Sequence, residues 1–288
     1  MIGIITLYYN NYNIGGLLQA YALQKTLEDN GIESEQLSVW HYKKEPVSFS
    51  RKLTSKAIRM IKNPAAEIKA TKHNREMEWR KNVISADIEK RQKHMRDFMQ
   101  EIPHSSQIYT PDNIKESLKD YSGYIVGSDQ VWNLSLTGND KSYFLDFVWD
   151  SKERFSYAAS MGSVKLSEDE KKVISKELFL YKNISVREKD AQKCLERITP
   201  KPITKVLDPV FLLSREQWNQ LIQSEKIKYK YILVYVLHEE EVYKVAERIS
   251  KETGVKIICL QNNLKKPIKA NYIFSAGPEE FLALIKNA

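Results

Sequence analysis

Short apolar runs separated by stretches of helical period give the chain its rhythm. Ile2-Gly3-Ile4-Ile5-Thr6-Leu7, Tyr124-Ile125-Val126 and Tyr231-Ile232-Leu233-Val234-Tyr235-Val236-Leu237 are continuous rather than alternating, which is how strands covered by helices on both faces read. Strands are predicted near residues 2–7, 34–39, 122–126, 154–159, 183–186, 204–207, 231–237 and 255–260. Helical periodicity follows Gly15-Gly16 through Leu17, Leu18, Tyr21, Ala22 and Leu27 up to Asn30-Gly31, and returns over 240–253 and 278–287. Strand alternating with helix implies an α/β fold with mostly parallel sheets. A first domain is expected over 1–213 and a partial second one over 214–288, with the lysine-rich segment 223–230 as the plausible boundary.

Several predicted strands end in small polar residues. Tyr124-Ile125-Val126 runs into Gly127-Ser128-Asp129-Gln130-Val131-Trp132-Asn133; the first strand breaks into Tyr8 to Gly16; Ser156 leads to Ser160-Met161-Gly162; and Ile184-Ser185-Val186 leads to Arg187-Glu188. In open α/β sheets the crevice beyond the carboxyl ends of the strands binds ligands, because helix N-termini and unpaired N–H groups converge there. The expected binding set is Asn13, Gly15, Gly16, Gly127, Ser128, Gln130, Trp132, Asn133, Ser160, Gly162, Ser185 and Glu188, with Trp132 stacking on a sugar ring. The Gly15-Gly16 turn has neither G-x-G-x-x-G nor P-loop spacing, which argues against a dinucleotide or NTP.

The six segments Asn13 to Leu23, Gly127 to Asn133, Tyr143 to Phe147, Ser156 to Gly162, Ile184 to Glu188 and Leu207-Asp208-Pro209 together resemble the polysaccharide pyruvyl transferases, in matching order along the chain. The resemblance implies a glycosyltransferase-B-like pair of Rossmann-type domains, the C-terminal one incomplete. It also implies transfer of a pyruvyl group from phosphoenolpyruvate to two hydroxyls of a saccharide or lipid-linked saccharide, forming a ketal, with phosphoenolpyruvate as donor substrate and no separate cofactor; no residue is assigned as a metal ligand. Such chemistry needs a bidentate cation for the donor's anionic groups, for which Arg187 at a strand end is the candidate; an ion pair with Glu188 or Asp190 is its structural alternative. Asp129 is the candidate base or orienter for the acceptor hydroxyl, its alternative being a helix cap. Family members continue into a strand bearing a catalytic histidine, whereas this sequence stops at Ala288, so low turnover is expected of this chain alone. His41, His73, His94, His104 and His238 read as ordinary solvated histidines rather than substitutes. A nucleotide-sugar glycosyltransferase and a non-catalytic glycan-binding remnant are the alternatives.

Charge refines this picture. The net charge of +8 is concentrated in one segment: 16 Lys and Arg face 7 Asp and Glu between Lys43 and Asp97, and the rest of the chain nets −1. With Ile58, Met77, Trp79 and Val83 among its charges, the region near 43–105 is predicted to be a basic helical insertion, which reads as a solvated helical hairpin or, alternatively, as an arm that sits near anionic lipid headgroups or guides a lipid-linked acceptor. No nucleic-acid-reading motif accompanies it, so nucleic acid is not an expected partner. Two distant cysteines, no charged-then-apolar leader and no run of about 20 apolar residues imply a cytoplasmic protein, for which the basic insertion offers a route to the inner membrane face as the alternative to free solution.

Overall fold

The computed structural model describes residues 1–40, 63–149, 152–222, 227–235, 240–261 and 271–288. His41, His238, the first part of the basic insertion, Val236-Leu237 and residues 223–226 of the boundary segment lie outside the described residues. In chain order the elements are β1 Ile2–Ile5, α1 Ile14–Asp29, β2 Ser34–Val39, α2 Pro64–Val83, α3 Ser85–Glu101, β3 His104–Tyr109, β4 Gly123–Val126, α4 Leu134–Thr137, β5 Glu153–Ser156, α5 Glu168–Leu178, β6 Ile184–Val186, α6 Lys189–Leu195, β7 Ile203–Lys205, α7 Arg215–Gln220, β8 Tyr231–Tyr235, α8 Glu240–Thr253, β9 Lys256–Leu260, β10 Tyr272–Ile273 and α9 Pro278–Lys286. The chain divides into two compact units, Met1–His41 with Met95–Asn219 and Tyr42–His94 with Gln220–Ala288.

The first unit is built on a parallel sheet in the order β3-β2-β1-β4-β5. Single parallel bridges at Phe155–Asn183 and Ala159–Val186 carry it on to β6, which pairs with β7. Serine side chains supply what the short β5–β6 ladder lacks. Ser156 Oγ donates to the Ser185 carbonyl (3.0 Å) and accepts from its N–H (2.9 Å), while Ser185 Oγ donates to the Ser156 carbonyl (2.8 Å). The expected mixed α/β architecture with parallel sheets is present, and the strand order is Rossmann-like. The edge strand β3 escaped sequence reading: His104-Ser105-Ser106-Gln107-Ile108-Tyr109 is polar enough to pass for the end of the helical insertion, which in fact stops at Glu101. Its pairing relies on side chains too, Ser38 Oγ donating to the Ser105 carbonyl at 3.0 Å.

The core packs between this sheet and the residues that follow β4. Trp132 stacks on Phe144 at 5.8 Å with 6° between planes, and meets Tyr181 edge-on at 6.0 Å. Tyr124 packs edge-on against Phe147 at 5.3 Å. Burying side chains of this size contributes on the order of 2–3 kcal/mol each before ordering costs. Helix starts are locally encoded: Asn13 accepts from Gly15 N–H (3.0 Å) at α1, and Ser167 with Glu170 forms a capping box at α5.

The second unit carries the parallel sheet β10-β9-β8. One face buries Val234 and Cys259 against Ala246 of α8; the other buries Tyr231, Ile258 and Leu260 against Leu284 of α9, where Tyr231 Oη donates to the Leu284 carbonyl at 2.8 Å. Gly277, before α9, lies so close to His94 of α3 that a Cβ there would come within 2.4 Å of the histidine Cβ. On α2 the apolar Ile68, Trp79 and Val83 are exposed among the basic residues. No helix among the described residues is long and apolar enough to cross a membrane.

Candidate active site

In the first unit β1 and β4 are neighbours, with β2 and β3 on one side and β5 on the other, so the strand order reverses between them. A ligand crevice is expected beyond their carboxyl ends. Gln19, one turn into α1 and buried, ties the two tips together. Its Nε2 donates to Thr6 Oγ1 (3.0 Å) and to the Gly16 carbonyl (2.8 Å), and its Oε1 accepts from Ser128 N–H (3.1 Å). Thr6 Oγ1 in turn donates to the Ser128 carbonyl at 2.9 Å. Every polar atom of the Gln19 amide that meets the turn is therefore satisfied without water, which fixes the loop rather than merely connecting it.

The turn after β4 has an unusual backbone. Gly127 has φ 108°, and a Cβ there would stand 2.4 Å from the Tyr157 carbonyl oxygen, so only glycine fits. Asp129 (φ 64°) and Ala158 (φ 50°) are both left-handed without being glycine. Such conformations cost about 1–3 kcal/mol each and persist where surrounding bonds over-determine them. Those bonds are present: Ser160 N–H donates to the Asp129 carbonyl at 2.9 Å, Trp132 N–H to the Ser160 carbonyl at 3.1 Å, and Ser128 Oγ to the Ala158 carbonyl at 3.0 Å. This holds the Asp129 carboxylate with Oδ1 accepting from Gln130 N–H (2.8 Å) and Oδ2 beside Gly16. Burial raises the Asp129 carboxyl above the ordinary carboxylate range; the Gln130 N–H and Arg187 pull it down, and Asp208 and Glu188 push it up.

Arg187 follows β6, and its guanidinium faces the same turn. Nε donates to Glu188 Oε1 at 2.9 Å, Nη1 to Asp208 Oδ2 at 2.6 Å, and Nη1 lies 3.5 Å from Ser128 Oγ. Burial lowers its proton affinity, but the bonds to Glu188 and Asp208 outweigh this and raise it, so it is a permanent cation. Asp208 caps the short turn Pro209–Phe211, its Oδ1 accepting from Val210 N–H at 3.1 Å.

Gly16, Ser128, Asp129, Ser160, Arg187 and Glu188 thus come together at one end of the sheet. Asn13 and Gly15 form the start of α1 beside them. Gln130 and Asn133 bond to each other at 2.7 Å under Gly162, where a Cβ would come within 2.3 Å of Gln130 Oε1. Asn133, not Asp129, caps the following helix α4, its side chain accepting from Leu136 N–H. Two placements differ from expectation. Trp132 is 1% exposed and donates its indole N–H to the Tyr143 carbonyl at 3.0 Å, so no ring face is presented to a sugar. The Ser185 hydroxyl is engaged with the backbone of β5 and the turn after it, donating to the Ser156 carbonyl and accepting from Ala158 N–H at 3.1 Å. Sequence reading did not select Thr6, Gln19 or Asp208 as site residues. Gln19 lies within Asn13 to Leu23 and Asp208 within Leu207-Asp208-Pro209, but only strand order shows what they touch.

Residues 13–288 match the family model described as polysaccharide pyruvyl transferase. The chain belongs to that family. No curated protein matches it, and no solved structure does. Family membership gives the general activity, that of a polysaccharide pyruvyl transferase, and the matched span includes Asp129, Arg187 and Asp208. Among the described residues no group of three or more His, Cys, Asp or Glu is arranged to hold a metal ion. Of the described histidines of this pyruvyl transferase, His104 begins β3 at the edge opposite the strand tips, and His73 and His94 belong to the second unit.

Proposed function

We propose that the chain transfers the pyruvyl group of phosphoenolpyruvate to two hydroxyls of a sugar in a cell-surface polysaccharide or its precursor. The observation that supports this most directly is the pairing of a permanent cation, Arg187, with a partly buried carboxyl of raised proton affinity, Asp129, on either side of Ser128. In this reading the donor's carboxylate or phosphate is held by the guanidinium, whose planar fork suits either group. A proton from water adds to the methylene carbon, one sugar oxygen bonds to the central carbon while its own proton passes to Asp129 and from there back to water, and the carbon–oxygen bond to phosphate breaks. The second hydroxyl then closes the ketal, its proton leaving with phosphate. Asp129 takes the acceptor hydroxyl's proton, a role favoured by a carboxyl that exchanges protons nearer neutrality than usual.

The same reading carries a glycosyltransferase-B-like arrangement, with Rossmann-type domains over 1–213 and 214–288. The acceptor could be lipid-linked: exposed Trp79 and Ile68 beside Lys69, Lys72 and Arg75 on α2 suit the headgroup region of an anionic inner membrane face. Incubation with phosphoenolpyruvate and a glycan acceptor tests the assignment. Phosphate and a new ketal methyl signal in the proton NMR spectrum are expected in equal amounts. Consumption of a nucleotide sugar, with no binding of phosphoenolpyruvate, would establish the glycosyltransferase alternative instead.

A further inference from the structure

We infer that Asp208 is a positioning residue, which sets the plane and direction of the Arg187 guanidinium toward Ser128 and Asp129. Three observations carry this. First, Asp208 is itself fixed, because Oδ1 accepts from Val210 N–H at 3.1 Å in the turn that it caps, and that turn packs against α1. Second, its other oxygen makes the shorter of the two ion pairs of Arg187, 2.6 Å to Nη1 against 2.9 Å from Nε to Glu188. Third, Ser128 Oγ lies 3.5 Å from both Asp208 Oδ2 and Arg187 Nη1, so the pair is seated on the turn that presents Asp129. Glu188 alone could not do this: it adjoins Arg187 in sequence, and its side chain is more exposed than that of Asp208. With Nε and one hydrogen of Nη1 engaged, the outer edge of the guanidinium is the part available to an incoming carboxylate or phosphate.

The inference rests on the reading of Arg187 as the cation that receives the donor, and its test separates the two. The charged groups around Asp129 are Arg187, Asp208 and Glu188, so neutralising Asp208 removes one of the two acidic neighbours while leaving the cation in place. Asp208→Asn keeps an oxygen for Val210 N–H and loses the charge. Phosphoenolpyruvate binding measured by calorimetry should weaken about tenfold or more, the usual scale for losing a hydrogen bond to a charged group. In the same protein, carbon-detected NMR should show the Asp129 carboxyl titrating at lower pH than in the parent, and the Arg187 Nε–H resonance should shift. Asp208→Glu, which keeps the charge one methylene further out, should bind with intermediate affinity, and it carries the test if Asp208→Asn does not fold. Parental affinity in both variants, or an unmoved Asp129 titration and Arg187 resonance in Asp208→Asn, overturns the inference. A parent protein that does not bind phosphoenolpyruvate, but whose Asp129 titration still responds to Asp208→Asn, overturns the donor assignment and leaves the positioning role standing.

Discussion

Asp129 Oδ2 lies beside the first turn of α1, 3.6 Å from where a Cβ on Gly16 would stand. The approach joins the loop after β4 to the helix after β1, and it makes Gly16 part of the crevice wall rather than a helix filler. A Gly16→Ala methyl would also meet Asn11 Nδ2 at 3.0 Å and the Leu7 carbonyl at 3.3 Å. Because alanine favours the helix by about 1 kcal/mol, stability should stay within about 1 kcal/mol of the parent. Pyruvyl transfer should fall about tenfold or more as Asp129 is displaced. Thermal unfolding and ketal formation measured on one preparation check the pair of outcomes.

Asp129→Asn should lower transfer by about 10²–10⁴-fold, the range of a lost general base. Its effect on stability has a pH dependence of definite sign. The unfolded residue ionises at its ordinary value near 3.8, and the folded one ionises higher because burial disfavours the charge. Between those two values the folded state holds the extra proton, so stability declines as pH rises, and the cost is fully present above the folded value. Asparagine removes that cost. The variant should therefore gain on the parent as pH rises from 3 to 8, with the difference vanishing at the acid end; urea unfolding across this range would reveal a parallel or converging pair if the reasoning is wrong.

Gln19→Leu has nearly the same volume but abandons Thr6 Oγ1 and Ser128 N–H, both buried. Unpaired buried polar groups cost about 1–3 kcal/mol each, so a loss of about 2–4 kcal/mol is expected by chemical denaturation. Amide exchange should speed up first over 127–130.

Trp132→Ala should destabilise the first unit by about 3–5 kcal/mol, since it vacates a site packed by Phe144 and Tyr181 and removes the indole N–H that donates to the Tyr143 carbonyl. Little destabilisation together with a loss of glycan affinity would restore the sugar-stacking role to this ring.

In the second unit, Gly277→Ala places a methyl 2.4 Å from His94 Cβ although the Gly277 backbone is extended and suits any residue. The cost is steric alone, about 1–3 kcal/mol, and shortening the opposing side chain in His94→Gly should recover part of it in a double-mutant cycle.

The amino-acid order alone determined most of the segments that become strands, β3 and β10 excepted, with ends placed to within about three residues. The apolar runs at Ile2–Ile5 and Gly123–Val126 lie in one parallel sheet, and their polar endings lie where ligands bind in such sheets; the run at Tyr231–Tyr235 forms a parallel strand of the second unit. Local chemistry suffices for this, because continuous hydrophobicity and small turn residues act within a few positions of themselves. It does not suffice for partners far apart along the chain. That Arg187 meets Asp208, that Gln19 spans Thr6 and Ser128, and that Trp132 turns inward while Asp129 stays at the crevice all depend on β4 lying beside β1 and β6 beside β5. Strand β3 shows the same limit from the other side: its polar sequence becomes a strand only because the exposed edge of β2 offers unpaired backbone groups to it.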